Sequence, residues 1–109
     1  MNKWGIDPEV ERRVRKRDKR CVYCHAAMKE RPRARGVPRN KATWEHIDNN
    51  DLRSDTNVVR CCGACNTSKG AKRLSDWFES EYCKRKKINE TTVSAVVKNW
   101  LSNRRHITR

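Results

Sequence analysis

Apolar residues in the last third of this chain recur with the period of an α-helix. A stretch from about Glu90 to Asn103 carries them at i, i+3, i+4, i+7 and i+8: Val93, Val96, Val97, Trp100 and Leu101. A regular stripe of this kind is far more often a core-facing surface than a ligand surface. The pattern therefore predicts an amphipathic scaffold helix near the carboxyl end.

A second helix is predicted just before it. Ser75 is a suitable N-cap, and Asp76 and Glu79 suit the positive end of the helix dipole. Its apolar residues also follow a helical spacing: Leu74, Trp77, Phe78 and Tyr82. Together the two helices predict a C-terminal helical extension that covers about residues 73–109.

The first residues contain the start of another helix. Asp7 is a suitable N-cap, Pro8 has the backbone angle of a first helical residue, and Glu9 faces the positive end of the dipole. A helix of about ten residues is expected to follow and to end near Asp18. It has a thin apolar edge and is otherwise surrounded by arginine and lysine.

The middle of the chain predicts a two-stranded β-ribbon followed by a helix. Ala42–Ile47 has the β-branched and aromatic bias of a strand, and Asn57–Arg60 predicts a returning strand. Asp48–Asp55 between them is polar turn material. A helix can then begin at Cys62 and stop at Gly70.

These elements predict an α+β fold in a single domain. A chain of 109 residues has room for one domain, residues 1–109. The predicted core covers about residues 13–70, with helices on both sides of it. A domain this small usually needs an added staple such as a metal or disulfides.

The charge of the chain indicates a polyanion as its partner. Lysine and arginine total 27 against 13 aspartate and glutamate, which gives a net charge of +14 and a pI near 10.1. Such an excess on one domain is typical of nucleic-acid binding. Two basic segments, Arg12–Arg20 and the exposed loop predicted for Arg31–Lys41, could supply phosphate contacts. A highly charged surface without a ligand is the alternative, and no separate basic amphipathic helix favours a membrane surface.

The six cysteines are expected to be reduced. Met1–Asp7 lacks the apolar segment of a secretory signal, and no apolar run approaches the ~20 residues that span a membrane. We therefore expect an intracellular, cytoplasmic protein. In that compartment closely spaced cysteines bind metal more often than they form disulfides.

Four of the cysteines have the spacing of a structural zinc site. Two Cys-x-x-Cys pairs are separated by 37 residues: Cys21 with Cys24, and Cys62 with Cys65. Four thiolates in two chelating turns suit tetrahedral Zn²⁺, and disulfide pairing is the alternative. Cys61 could replace Cys62, but its spacing to Cys65 lacks the tight chelating turn. Cys61 and Cys83 are more simply small buried residues, and His25 is a neighbour of the site.

Several further residues lie between and just after the two cysteine pairs in a set order. Glu45-His46 stands within Thr43–Ile47, Asn57 follows eleven residues after the histidine, and Cys65–Gly70 has the sequence Cys-Asn-Thr-Ser-Lys-Gly. This order and spacing closely resembles the HNH endonuclease family, whose ββα-metal fold is a β-hairpin followed by a helix that grips a divalent cation. The resemblance covers roughly residues 13–70.

The resemblance implies a catalytic site. It assigns His46 as the general base, a role that an imidazole can fill at neutral pH. It makes Glu45 and Asn66 oxygen ligands of a catalytic Mg²⁺ or Mn²⁺. Asn57 would brace the hairpin and orient the histidine, and Lys69 would contact the scissile phosphate. Glu45 and His46 are consecutive in a predicted strand, so their side chains are expected on opposite faces.

The chain departs from the family pattern at three places. Glu45 stands where aspartate is commoner, Asn66 stands where many members have histidine, and Asp48-Asn49 stands where a proline often follows. None of these changes removes a group that the chemistry needs. They bear on which divalent ion supports turnover and how fast.

The sequence therefore predicts a metal-dependent DNA endonuclease that leaves a 5′-phosphate and a 3′-hydroxyl. A zinc-stabilised nucleic-acid-binding module without catalysis is the alternative, and RNA is a possible substrate. Nicking and double-strand cleavage both stay open, as do a monomer and a homodimer. The C-terminal apolar stripe either covers the core or forms a dimer face.

Overall fold

The computed structural model describes residues 6–30, 39–48 and 57–107, the last five of these by their backbone alone. Their elements, in chain order, are α1 (Pro8–Arg17), β1 (Ala42–His46), β2 (Val58–Cys62), α2 (Gly63–Lys69), α3 (Leu74–Phe78), α4 (Glu81–Lys86) and α5 (Ala95–Ile107). Helices around a small sheet give the predicted α+β class. Most of the predicted basic loop Arg31–Lys41 and of the predicted turn Asp48–Asp55 lies outside the described residues.

Helix α1 begins and ends where the sequence predicts. The Asp7 carboxylate accepts a hydrogen bond from the Glu9 amide at 2.8 Å, and Pro8 is the first helical residue. The helix ends at Asp18, whose amide donates to the Val14 carbonyl at 2.8 Å. Val14 is fully buried, whereas most of the helix surface is charged and exposed.

Strands β1 and β2 form an antiparallel hairpin. Ala42 pairs with Cys62 at one end and His46 pairs with Val58 at the other. The Ile47 amide donates to the Asn57 carbonyl at 2.8 Å, so hydrogen bonding continues one residue past β1. Strand β2 runs two residues beyond the predicted end at Arg60, directly into α2.

Each face of the hairpin packs against a different part of the chain. On one face Val58 joins Ile6 and Val14 in a small cluster, with Val10 and Trp44 against it. The other face belongs to the main core, to which the hairpin region contributes Ile47, Val59 and Cys61. Because both faces are covered, polar residues of the hairpin also become buried.

The predicted helix at Ser75 is two short helices. Ser75 is the second residue of α3, and Arg73 takes the cap position, so the predicted N-cap is wrong. The chain leaves the helix near Glu79, and the Ser80 hydroxyl accepts from the Cys83 amide at 3.2 Å, which caps α4. A second good N-cap within the apolar stripe therefore divides it.

The last helix begins later than predicted. Residues 89–92 form a hydrogen-bonded turn instead, in which the Asn89 carboxamide accepts from the Thr91 amide and Thr92 accepts from the Asn89 amide, both at 2.9 Å. Helix α5 starts at Ala95 and continues to Ile107. Val93 and Val97 are nevertheless buried in the main core, so the apolar stripe covers the core of its own chain.

None of the helices among the described residues has the length and apolar character needed to cross a membrane.

Candidate functional site

The two Cys-x-x-Cys pairs meet in space. The four sulfur atoms of Cys21, Cys24, Cys62 and Cys65 all lie within 4.8 Å of one another. The first pair lies in the turn after α1, whereas Cys62 ends β2 and Cys65 lies in the first turn of α2. The cluster thus joins the start of the domain to the hairpin and its helix.

The cluster has the dimensions of a tetrahedral zinc site. Zinc–sulfur bonds of about 2.3 Å in a tetrahedron put neighbouring sulfurs about 3.8 Å apart. The Cys24 and Cys62 sulfurs are 3.7 Å apart. The Cys24 amide donates to the Cys21 sulfur at 3.5 Å, and the Tyr82 hydroxyl lies 3.3 Å from the Cys65 sulfur. The four residues are therefore positioned to hold a metal ion, as a structural zinc site requires.

Hydrogen bonding among the thiols favours ionisation of part of the cluster. The contact with Cys21 lowers the pKa of Cys24, and it lowers the pKa of Cys62 to about 6. The same contacts raise the pKa values of Cys21 and Cys65, which keep the shared protons. Thiolates are the form that binds metal, and Cys24 and Cys62 are the two sulfurs of the cluster that ionise more readily.

The remaining cysteines and His25 lie outside the cluster, as the sequence indicates. All six cysteines are free thiols, so the described structure contains no disulfide. Cys61 faces Glu45 and Cys83 is buried in the core. His25 bonds through its ring to the Thr92 carbonyl, next to the turn that holds Cys21 and Cys24.

Asn57 closes the hairpin at the end where His46 lies. Its side chain is fully buried, and its carboxamide accepts from the Asp48 amide at 2.9 Å and donates to the Asp48 carbonyl at 3.1 Å. These two bonds fix the chain just after β1. The role that the resemblance implies for Asn57, bracing the hairpin and orienting His46, stays a prediction.

Glu45 is buried on the core face of the hairpin. Only 7% of the residue is exposed, and its carboxyl accepts from the Tyr23 hydroxyl at 2.9 Å. The Lys69 ammonium lies 3.4 Å from it and the Cys61 sulfur 3.9 Å. Burial is the largest influence and raises the pKa of Glu45 to about 7, while the Lys69 charge and the Tyr23 hydroxyl act in the opposite direction.

Helix α2 brings Asn66 and Lys69 to this face. The Asn66 carboxamide nitrogen donates to the Thr43 hydroxyl at 2.9 Å, and Thr43 precedes Glu45 by two residues on the same face of β1. Lys69 follows one turn later and is only 1% exposed. Its ammonium faces Glu45 and not the solvent, so a contact with phosphate requires Lys69 to leave this position.

His46 lies on the opposite face, as alternation along the strand predicts. Its side chain is partly exposed on the α1 side of the hairpin, and its partner across the ladder is Val58. The Val58 carbonyl accepts from the Arg17 guanidinium at 2.8 Å, which fixes the end of α1 beside this rung. The histidine and the carboxyl are thus neighbours in sequence that face different surroundings.

Two buried or half-buried groups near the site were not expected from the sequence. Tyr23 lies between the first two cluster cysteines in the sequence, and its hydroxyl reaches Glu45.

Trp44 is the other group, and two guanidinium groups lie against its ring: that of Arg15 at 5.2 Å and that of Arg60 at 4.9 Å from the ring centre. Both arginines also form ion pairs with Glu30. The hydrogen bond from Arg60 is the largest cause, and with that from Arg15 it lowers the pKa of Glu30 to about 2. The signal available in the sequence was the position of Trp44, two residues before the histidine.

Comparisons with protein-family models, with curated proteins and with solved structures find no match for this chain. The chemistry open to the site follows from its contacts: a tetrathiolate cluster suited to a metal, a buried carboxyl whose proton is loosely held at neutral pH, and a partly exposed imidazole. The Glu45 carboxyl and the Asn66 amide, whose oxygen atoms can bind a hard cation, lie at one face of the hairpin. The His46 imidazole, which can accept a proton, lies at the other.

The buried carboxyl has a consequence for stability. Because the pKa of Glu45 is about 7 in the folded protein and near 4.5 in the unfolded chain, the unfolded chain loses this proton first as the pH rises. Relative to Glu45→Gln, the wild-type free energy of unfolding is expected to fall by about 2 kcal/mol between pH 5 and pH 7 and to level off above that. Denaturant unfolding of both zinc-loaded proteins at several pH values measures this difference.

The comparison between variants isolates Glu45 because every other ionisable group is present in both proteins. Glu79→Gln, which removes an exposed carboxylate, is the matched control and is expected to parallel the wild type. A constant gap between wild type and Glu45→Gln across this pH range would show that the carboxyl is not held in its neutral form by burial.

Proposed function

We propose that this protein is a metal-dependent endonuclease of the HNH, or ββα-metal, type that hydrolyses phosphodiester bonds in DNA. One observation carries the proposal: Glu45 of β1 and Asn66 of α2 adjoin the same junction between hairpin and helix. Asn66 bonds to Thr43 at 2.9 Å, and Lys69, one turn further along α2, lies 3.4 Å from Glu45. Residues far apart in sequence are thereby close to one possible cation position.

The order and bracing of the elements support the proposal. The strands β1 and β2 lead directly into α2, and the cysteine cluster fastens the end of β2 and the start of α2 to the turn that follows α1. Asn57 holds the hairpin at the other end through Asp48. The candidate catalytic residues therefore lie on a small unit that is stapled at both ends.

In the proposed reaction His46 takes a proton from the attacking water. The carboxylate of Glu45 and the amide oxygen of Asn66 would hold Mg²⁺ or Mn²⁺, cations that prefer such oxygen ligands. When bound, the cation neutralises charge on the phosphate and on the leaving 3′ oxygen. Because Glu45 and His46 are consecutive, about 3.4 Å apart along the strand, the proposal places the phosphate across the end of β1, within reach of both.

Lys69 has a definite part in this scheme. Its ammonium supplies the positive charge beside the buried Glu45 carboxyl in the structure. A buried carboxylate needs such a partner, and a divalent cation would compete for the same oxygen atoms. Cation binding therefore requires the carboxyl to exchange Lys69 for the metal, and the released ammonium would then be available to phosphate.

DNA is the proposed substrate because the net charge of +14 suits a polyanion and α1 presents a row of exposed cations close to the hairpin. A second candidate, a zinc-stabilised nucleic-acid-binding module, is favoured by the burial of Glu45 and its bonds to Tyr23 and Lys69. In that case the carboxyl serves stability alone. The two candidates differ in cleavage and not in binding.

Incubation of zinc-loaded protein with supercoiled plasmid at low salt tests the proposal. We expect conversion to open circles or linear DNA with Mg²⁺ or Mn²⁺, and none without an added divalent ion. The form produced separates nicking from double-strand cleavage, and a parallel reaction with RNA tests the substrate class. Plasmid that is retarded but uncut with every ion would favour the binding module.

A further inference from the structure

A cavity of about 580 Å³ lies between the carboxyl end of α1 and the first turns of α5. None of the proposed catalytic residues lines it. One wall is formed by Lys19 and Arg20, and the other by Val96, Asn99 and Trp100. Its volume falls within the range of about 300–1,000 Å³ that small-molecule sites occupy.

Basic residues predominate among the charged residues that line the cavity. Arg17 lines it together with Lys19 and Arg20. Asp18 is the one acidic residue of the lining; it is 4% exposed, and its charge is neutralised by Arg17. The Asp18 carboxylate accepts from the Arg17 guanidinium at 2.6 and 2.8 Å and from the Arg60 amide at 3.1 Å. Lys19 makes no ion pair with any residue that the structure describes. The first turn of α5, which carries no acidic residue, adds the positive end of its dipole to the same wall.

The opposite wall offers an aromatic surface. Trp100 is partly buried. It packs against the main core and also lines the cavity. Cations beside an indole ring are the combination that binds a nucleotide, because any base can stack on the ring while its phosphate lies against the cations.

The cavity adjoins the hairpin at the rung that contains His46. Arg17 reaches from the cavity to the Val58 carbonyl at 2.8 Å, and Val58 is the ladder partner of His46. The other end of the cavity is fixed by the cysteine cluster, since the Ser94 amide donates to the Val22 carbonyl at 2.8 Å within the Cys21–Cys24 turn. The cavity is therefore held in place relative to the hairpin.

We propose that this cavity binds one nucleotide of a single-stranded segment of nucleic acid, with its base on Trp100 and its phosphate against Lys19, Arg20 and the first turn of α5. A base within a continuous duplex is stacked and paired, so it would have to be extruded before it could enter. If the proposed nuclease function holds, the inference also defines the substrate: a phosphodiester flanked by unpaired nucleotides, as in single strands, flaps and gaps. The binding itself does not rest on catalysis.

Binding of a fluorescein-labelled 15-nucleotide single strand and of the matching duplex, measured by anisotropy on zinc-loaded protein without Mg²⁺ or Mn²⁺, tests the inference. Trp100→Ala is expected to weaken single-strand binding by about tenfold and duplex binding by less than about threefold. Trp100→Phe retains an aromatic face and is expected to restore most of the affinity. Thermal melting followed by circular dichroism checks that each variant is folded.

A second pair of variants separates the cavity from general charge. Replacing Lys19 and Arg20 by alanine is expected to weaken single-strand binding more than replacing Lys84 and Arg85, an exposed dibasic pair of α4 outside the cavity. Equal losses for the two pairs, or an unchanged affinity in Trp100→Ala, would overturn the inference. A protein that binds through Trp100 but cuts nothing would retain this inference and reject the nuclease.

Discussion

Replacing Cys62 by serine is expected to unfold the domain. Cys62 is the last residue of β2 and precedes α2, and its sulfur lies 3.7 Å from that of Cys24. A serine hydroxyl is a poor ligand, so three thiolates would remain in a site built for four. Structural zinc contributes about 10–16 kcal/mol in small zinc domains, whereas a whole domain has a net stability of about 5–15 kcal/mol. Loss of much of the zinc affinity therefore exceeds what the core can offset.

Elemental analysis and circular dichroism measure this result. Wild-type protein is expected to hold one zinc ion per chain and to melt cooperatively, and Cys62→Ser is expected to hold almost none and to show no cooperative melting. Removal of zinc from the wild type with a chelator should give the same unfolded state, and added zinc should reverse it. Cys83→Ala is the matched control, a buried free thiol outside the cluster, with an expected cost of about 1 kcal/mol. A chelated wild type that kept its fold would show that the cluster is dispensable.

We expect this dependence on a metal because of the distribution of apolar residues. Two small helices, α3 and α4, and a two-stranded sheet bury little surface on their own, and α1 contributes Val14 alone as a fully buried side chain. The cluster connects these parts at one point. It also fixes α5 through the bond from Ser94 to Val22, so the fold on both sides of the hairpin depends on it.

The elements that local chemistry decides were predictable from the sequence. Asp7-Pro8 fixed the start of α1, Gly70 ended α2 with a positive φ of 52°, and the cysteine spacing selected the cluster and excluded Cys61 from it. For the two helix ends the deciding interaction lies within a few residues in the chain, and for the cluster each chelating Cys-x-x-Cys turn is local. The division between α3 and α4 was missed because Ser80 is a second suitable N-cap within the same apolar stripe, and it begins a new helix there.

The burial of the candidate site was not predictable. A charged residue is ordinarily expected on a solvated face of its strand or helix. Yet Glu45 of β1 is 7% exposed and Lys69 of α2 is 1% exposed. Their burial requires α2 on the core face of the hairpin and the hydroxyl of Tyr23 from the cysteine turn. Each of these contacts joins distant parts of the chain, and local patterns carry no information about them. The sequence therefore offered Glu45 and Lys69 as candidate site residues but did not indicate that the lysine would lie beside the carboxyl.

Replacing His46 by alanine is expected to lower the rate of plasmid cleavage by about 10² to 10⁴-fold, the usual contribution of a general base. The alanine leaves the proposed cation ligands Glu45 and Asn66 unchanged, because the histidine lies on the opposite face of β1. DNA binding and the melting temperature are expected to stay near the wild-type values, since the side chain is partly exposed and supports no part of the core. Initial nicking rates with Mg²⁺ or Mn²⁺, paired with anisotropy titrations, measure both quantities.

Two further measurements separate a proton acceptor from a merely structural residue. Added imidazole is expected to restore part of the activity of His46→Ala, because a free base can enter the space that the side chain leaves. His25→Ala, which removes an exposed histidine from the cysteine turn, is the matched control and is expected to cut at close to the wild-type rate. Cleavage by His46→Ala at the wild-type rate would reject the histidine as the base. A loss of binding together with cleavage would instead make His46 a contact for DNA.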